Sequence, residues 1–264
     1  MMRVLFLGDI CAQPGRQAVL NNIERMKRDY QPEFVIANGE NAAGGFGITP
    51  KIAEELLKRI DCLTLGDHFL DRKELIPFLE EESRILRPLN LPPGAPGRGS
   101  QIFNHNGKKV AVINLLGRIF LRPIDCPFRR VREEIGRIKS ETKIIIVDFH
   151  AEATAEKVAM GWFLDGAVSA VLGTHTHVPT ADERILPKGT AYITDVGMCG
   201  ALDSVLGMKI ESSLQRILTG IPYRLEPSNS NINLCGCLLE IDEETGKAIS
   251  IKRISEPETN SLIV

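Results

Sequence analysis

The sequence predicts an α/β fold with a polar site along one sheet edge. Between residues 3 and 82, short apolar runs alternate with segments of helical periodicity. Each apolar run there ends in residues of the metal-ligand or proton-transfer type. Further strands follow in the second half, which fits a two-sheet sandwich with helices outside and equally fits one mixed sheet.

Arg3 to Gly8 reads as a first strand, and Gly15 to Asp29 as a helix with Val19, Leu20, Ile23 and Met26 on one face. Phe34–Ala37 is a second strand ending in Asn38–Gly39–Glu40–Asn41. A glycine-rich loop, Gly44–Gly47, precedes Thr49–Pro50, a helix cap with proline at the first position. Its apolar face is Ile52, Leu56, Leu57 and Ile60. Cys62–Leu65 is a third strand ending in Gly66–Asp67–His68, and Asp71 to Glu82 a helix with a solvated acidic end. The Pro- and Gly-rich stretch from Arg87 to Arg98 predicts a long ordered loop or lid. Asn106–Gly107 marks a hairpin between Gln101–Phe103 and Lys109–Asn114. Val131, Ile135 and Ile138 mark an amphipathic helix. Lys143–Val147 is a buried strand leading to Asp148–Phe149–His150, followed by a helix over Ala151–Leu164. Ala167–Leu172 and Ala191–Thr194 are strands and Lys209–Leu218 a helix. Leu234–Ile241 and Ala248–Ile254 are paired strands.

The 264 residues are 43% hydrophobic and 25% charged, enough to bury a full core. With no repeat or separating linker, one domain over residues 1–264 is expected. A net charge of −2 argues against a protein held to nucleic acid by bulk charge, while leaving room for a nucleotide in a pocket. The N-terminal apolar run is too short for a signal peptide, and no stretch approaches the ~18 apolar residues of a membrane helix. The six cysteines include no C-x-x-C pair and are expected as reduced thiols in the cytoplasm. Cys235 and Cys237 are read as packing residues on one strand face.

Three of the five histidines are His150, His175 and His177. In an extended Gly173–Thr174–His175–Thr176–His177 segment, both outer imidazoles face one side. With Asp9, Glu40, Asn41 and Asp67 they make seven candidate ligands at strand ends, beside His68. Carboxylates, an amide oxygen and imidazoles suit manganese, iron or zinc. Seven ligands exceed one tetrahedral zinc and suit two metals sharing a carboxylate. Two metals ~3.5–4 Å apart form a clamp for displacement at phosphorus, with a held water as nucleophile.

The motifs Gly8–Asp9, Gly39–Glu40–Asn41, Gly66–Asp67–His68, His150 and Gly173–His177 resemble those of the calcineurin-like metallophosphoesterases. Across almost the whole chain the resemblance is to the YmdB-like 2′,3′-cyclic-nucleotide 2′-phosphodiesterases. It is most specific in Asp148–Thr154, in the His-Thr-His segment and in Ile185–Met198, and extends to Asn114–Arg118.

This resemblance implies a four-layer α/β/β/α sandwich and two metal ions, iron or manganese, with zinc or magnesium as alternatives. It implies that Asp9, Glu40, Asn41 and His177 hold one ion. Glu40, Asp67, His150 and His175 would hold the other, so that Glu40 bridges. A hydroxide between the ions would attack phosphorus while His68 acts as general acid on the leaving oxygen. The implied substrates are small phosphodiesters, 2′,3′-cyclic nucleotides foremost. A phosphomonoesterase or protein phosphatase is the nearest alternative, and a metal-dependent amidohydrolase a weaker one.

One departure is Asp67, where the family pattern has Asn, giving three carboxylates in place of two. A regulatory or RNA-turnover partner protein with a weak or vestigial metal site is therefore the alternative of another kind. Phe69–Leu70 replaces the Thr-Trp of relatives. Arg87, Arg118 and Arg122 are read first as structural or surface residues, and Phe46 as either a base-stacking ring or an apolar anchor. No membrane partner is expected, and a closed homo-oligomer only as a base rate.

Overall fold

The computed structural model describes residues 1–258. In chain order its elements begin with β1 (Met2–Leu7), β2 (Asp9–Ile10), α1 (Ala12–Tyr30), β3 (Phe34–Asn38), α2 (Pro50–Leu57), β4 (Cys62–Thr64), α3 (Leu75–Glu81) and β5 (Ile85–Leu86). Next come β6 (Ser100–His105), β7 (Lys108–Leu116), α4 (Pro127–Ile138), β8 (Ile144–His150), α5 (Thr154–Leu164) and β9 (Ala170–Thr174). The last are β10 (Arg184–Ile185), β11 (Ala191–Ile193), β12 (Met198–Ala201), α6 (Ile210–Thr219), β13 (Ile232–Ile241) and β14 (Ala248–Pro257).

Two sheets form. One runs β2-β12-β13-β1-β3-β4-β5, with β14 also on β13; the other runs β10-β11-β9-β8-β7-β6. Three apolar layers show how they stack. Met2, Val4, Phe6, Phe34 and Ile36 from the first sheet interleave with Val110, Val112, Ile144, Ile146 and Leu172 from the second. The opposite face of the first sheet, with Leu5, Leu7, Val35 and Ala37, is covered by Val19 and Ile23 of α1, Leu56 of α2 and Leu79 of α3. The opposite face of the second sheet, with Ala111, Ile113, Ile145 and Val147, is covered by Val131 and Ile135 of α4 and Met160 of α5. Four layers in the order α/β/β/α result, which settles the two alternatives left by the strand pattern. Both faces of each central strand are buried, so these strands read as unbroken apolar runs.

Local chemistry explains the boundaries. Thr49 Oγ1 accepts from Ile52 N at 3.3 Å, and Pro50 opens α2 as its sequence predicts. The β6–β7 turn places Asn106 at φ 51° and Gly107 at φ 83°, as a two-residue hairpin of type I′ requires. The helix expected from Asp71 begins only at Leu75. Asp71 N closes a turn onto His68 O, and the Asp71 carboxylate takes the His68 side chain. The short strands β2, β5, β10 and β12 have too few residues to show a period.

The Arg87–Arg98 stretch is a packed loop rather than a lid. Arg87 donates to the carbonyls of Pro88, Leu89 and Pro96, and buried Asn90 exchanges hydrogen bonds with the Leu116 backbone. No described helix is long and apolar enough to cross a membrane.

Candidate metal centre

Strand alternation builds the site. Residues facing the layer between the sheets fall at every second position. In β8 they are Ile144, Ile146, Asp148 and His150, in β3 Phe34, Ile36 and Asn38, and in β9 Ala170, Leu172 and Thr174. Each row is apolar first and polar at its C-terminal end. Strands β1, β3 and β4 are mutually parallel, as are β7, β8 and β9, so the polar ends of each set share one edge.

A buried polar belt joins the two sheets beneath that edge. Asn38 Nδ2 donates to Asp148 Oδ2 at 3.2 Å, crossing from β3 to β8. Asn114 Nδ2 crosses the other way, to the carbonyls of Leu65 (2.6 Å) and Leu86 (2.8 Å). The Asn38 amide oxygen also accepts from Glu40 N at 3.1 Å and so fixes the turn that carries Glu40. Asn38, Asn114, Asp148 and Thr174 were not singled out as functional by their sequence context. Their signal is positional: each continues an inward row of apolar residues.

The belt sets the orientation of His150. Registry pairs His150 with Thr174 across β8 and β9. Thr174 Oγ1 donates to Asp148 Oδ1 (2.7 Å), because a carboxylate only accepts, and its lone pair accepts from His150 Nδ1 (2.9 Å). Burial pushes the Asp148 carboxyl up to about 6, while His150 and the Thr174 hydroxyl act to lower it. His150 Nε2 is thereby left facing Glu40 Oε1 (2.8 Å), His175 Nδ1 (3.0 Å) and Asp67 Oδ1 (3.4 Å). The ligand-type atoms of Glu40, Asp67, His150 and His175 all lie within 4.8 Å of one another.

Asn41, His177 and Asp9 form a second chain of contacts that starts at Glu40 Oε1, and Asp9 Oδ1 also lies 3.8 Å from His150 Nδ1. Asn41 Nδ2 lies 3.4 Å from Glu40 Oε1 and 3.0 Å from His177 Nε2, while His177 Nε2 lies 3.9 Å from Asp9 Oδ1. All seven sequence-predicted residues therefore come together, with Glu40 at the junction of both sets. His68 stands beside them, its Nε2 3.9 Å from Asp67 Oδ2 and its Nδ1 2.7 Å from Asp71 Oδ2.

The donor set fits a cation. Asp9 Oδ1 and Asp67 Oδ1 are buried and have no hydrogen-bond partner. Burial acts to lower the His150 imidazole, yet Glu40 and Asp67 outweigh it and raise it well above its usual value. Burial likewise acts to raise Asp67, and the surrounding imidazoles hold it well below the carboxylate range. The cluster thus favours positive charge at its centre. Carboxylate oxygens with imidazole nitrogens suit transition-metal dications better than calcium.

The His-Thr-His segment is not extended. His175 and His177 have φ values of 95° and 65°, a left-handed backbone that costs of order 1–3 kcal/mol per residue. The two rings consequently meet different partners, His175 with His150 and Asp67, and His177 with Asn41 and Asp9. The segment is held by a buried ion pair. Lys157 Nζ lies 2.7 Å from Asp195 Oδ2, which also accepts from Thr176 N (3.1 Å) and Thr176 Oγ1 (2.6 Å). Asp195→Ala would leave Lys157 charged and unpaired in a site only 1% exposed. Such breaks cost roughly 3–5 kcal/mol. Thermal denaturation of that variant is expected to show a much lower Tm, and an unchanged Tm refutes the anchoring role.

His175 has a second anchor in Glu152, whose Oε2 lies 3.0 Å from His175 Nε2. That contact fixes Nε2–H and turns Nδ1 inward. Removing such a partner typically costs 10–100-fold in metal affinity or activity. Glu152→Ala is expected to show this loss in a metal titration, with Glu152→Gln partly restoring affinity.

Gly66 permits the close approach of both sheets, since any Cβ there would fall on Glu40 Oε2 and the His150 ring. Among the arginines, Arg122 donates to Asp67 O at 2.7 Å and so braces the Asp67 turn. Five cysteines are buried and all six are free thiols outside the cluster. A cavity of about 400 Å³ opens above the cluster, walled by Phe46, Leu206, Met208, Ile217 and Leu225. The Phe46 ring meets the His68 ring edge-on at 5.1 Å. Most of this wall comes from residues 205–225, which carry no recognisable motif.

Known proteins share this architecture. A family model described as YmdB-like protein matches residues 5–254. A 2′,3′-cyclic-nucleotide 2′-phosphodiesterase of Bacillus subtilis (strain 168) is 49% identical over 254 residues, covering 96% of this chain and 96% of that protein. The crystal structure of a hypothetical protein from Thermus thermophilus is similar with a TM-score of 0.91 and 40% identity, covering 98% of this chain and 100% of the other. That of a novel phosphatase from Mycoplasma pneumoniae has a TM-score of 0.92 and 38% identity, covering 98% and 95%. The four layers are those of the calcineurin-like metallophosphoesterase fold. With a family model spanning nearly all of its length and a relative matching half of its residues, the chain belongs to the YmdB-like family.

Proposed function

We propose that this protein is a dinuclear metal-dependent phosphodiesterase acting on small phosphodiesters, with 2′,3′-cyclic nucleotides as the best-fitting substrates. The observation that carries this reading is the meeting of two groups of ligand-type residues at Glu40: Asn41 with His177 and Asp9, and His150 with Asp67 and His175. The name of the Bacillus subtilis relative supports the substrate class. When bound, iron, manganese or a similar ion at each set supplies Lewis acidity toward phosphate oxygens and an acidified water as nucleophile.

The chain's own residues supply the rest. Asp71 holds His68 at Nδ1, so that Nε2 is the atom free to carry a proton to the leaving 2′ oxygen. Phe46 limits the swing of that ring. The roughly 400 Å³ cavity has the size and apolar walls of a small-ligand site, which suits a nucleoside and shields the reaction from water.

Asp67 tunes this centre. Relative to the Asn of the family pattern, its extra negative charge favours cation binding and weakens the Lewis acidity of the bound cation. Asp67→Asn is expected to bind metal no more tightly and to shift the acidic limb of the pH–rate profile downward at matched occupancy. An unchanged rate and profile would sink this idea.

The decisive experiment is elemental analysis of protein purified without added metal, with hydrolysis of 2′,3′-cyclic nucleotides and of an aryl phosphodiester measured on the same sample. Two ions per chain and turnover abolished by chelation are expected. Empty sites and no turnover with iron, manganese or zinc supplied would favour the regulatory-partner reading instead.

A further inference from the structure

A second cavity, of about 700 Å³, adjoins the one above the metal centre. The two share Phe46, Arg216 and Leu225 as common walls, so one groove runs outward from His68 past Phe46. Its character changes along the way. The inner part is lined by Met208, Leu206 and Ile217, whereas the outer part is lined by Arg72, Arg216, Arg224 and Tyr223.

The positive charge of the outer part is only partly offset within the protein. Arg216 and Arg224 have no ion-pair or side-chain hydrogen-bond partner among the described residues. Arg72 spends two of its donors on the carbonyls of Phe46 (3.1 Å) and Ala43 (2.7 Å), which fix the guanidinium without cancelling its charge. The one carboxylate lining this cavity, Glu226, pairs with Lys209 at 2.7 Å and also attracts Arg224, so Arg72 and Arg216 are left without a carboxylate partner. Three arginines thus line one groove that holds a single, already paired carboxylate.

Resting on the phosphodiesterase reading, we infer that this outer cavity binds a second phosphate of the substrate, the one on the 5′ side of the nucleoside whose cyclic phosphate meets the metal centre. Charge and order along the groove support the assignment. A cyclic phosphate at the cluster directs its nucleoside into the apolar part beside Phe46. A 5′ phosphate then reaches the arginines, whose forked donors match its oxygens. The same chemistry is offered by a free 5′-phosphate and by the internucleotide phosphate of an RNA end.

Calorimetry on the metal-loaded full chain provides a test independent of turnover. Adenosine 3′,5′-bisphosphate is expected to bind about tenfold or more tightly than adenosine 3′-phosphate, the range of charge-assisted hydrogen bonds. The preference should shrink with added salt, and in the Arg216→Ala, Arg224→Ala double variant the ratio should fall toward one. Equal affinities for the native chain, or a ratio unmoved in the double variant, would overturn the inference.

Kinetics then separates the sources. A kcat/KM advantage for 5′-phosphorylated adenosine 2′,3′-cyclic phosphate over the unphosphorylated compound assigns the cavity to a free 5′-phosphate. An advantage seen only for a trinucleotide with a 2′,3′-cyclic end assigns it to an internucleotide phosphate. A bisphosphate preference without hydrolysis of any cyclic compound rejects the phosphodiesterase reading and keeps the second-phosphate site.

Discussion

Replacing Glu40 by Ala is expected to abolish turnover and empty the centre in one step. Glu40 is fully buried and lies where both proposed ligand sets meet, 2.8 Å from His150 Nε2 and 3.4 Å from Asn41 Nδ2. Its Oε2 also accepts from His68 N at 3.2 Å, so it braces the loop that carries the proposed acid. Burial acts to raise this carboxyl, but the His150 neighbour outweighs it and holds it below its usual value. Glu40 therefore brings a full negative charge to the centre. Metal ions contribute several kcal/mol of transition-state stabilisation, and each ~1.4 kcal/mol is tenfold. Glu40→Ala should thus lose roughly a thousandfold or more in kcat/KM, and elemental analysis should find both ions depleted. Retention of one ion at full occupancy would show that Glu40 serves a single set.

The second large effect concerns His68. His68→Ala is expected to lower kcat toward 2′,3′-cyclic nucleotides by roughly 10²–10⁴-fold, the usual contribution of a positioned acid or base. Metal content should not change, because the His68 ring stands outside the mutually close set of Glu40, Asp67, His150 and His175. An aryl phosphodiester with an acidic leaving phenol needs little protonation, so its hydrolysis should fall far less. That contrast between leaving groups is the readout. An equal loss on both substrates would assign His68 to binding or to support of Asp67, rather than to proton donation.

Much of the site was legible because its residues stand at the ends of apolar runs. The end of a strand can be read from the run that precedes it, and a scarce residue such as His there is informative. Asp9, Glu40, Asn41, Asp67, His150, His175 and His177 were all found in this way, and the structure brings them to one edge. The polar belt was less legible. Asn38 and Asp148 look like ordinary strand-end residues until the two sheets face each other and bring them within 3.2 Å. Glu152 escaped for a related reason: it lies in the bend between β8 and α5, and its contact is with a histidine just past the end of β9.

The His-Thr-His segment shows the limit of local geometry. Alternation in an extended chain places both rings on one side, whereas positive φ at His175 and His177 sends them to different sets. That backbone is imposed by the buried Asp195–Lys157 pair and by Asp9, which accepts from His175 N at 3.2 Å. All of these partners are distant in sequence. Pairing of His175 with His150 and of His177 with Asn41 was available beforehand only through family resemblance.

By itself the sequence determined the α/β class, the order of the long elements and the set of residues at the site. Hydrophobic periodicity and helix caps act over a few residues, so they survive in a linear reading. The strand pattern left one sheet or two open and only the family resemblance implied two; tertiary structure alone decided that their inner faces turn polar at the same edge and that residues 205–225 wall the cavity over it. These outcomes depend on which apolar face meets which. Burial is a property of pairs of elements, and no single segment carries it.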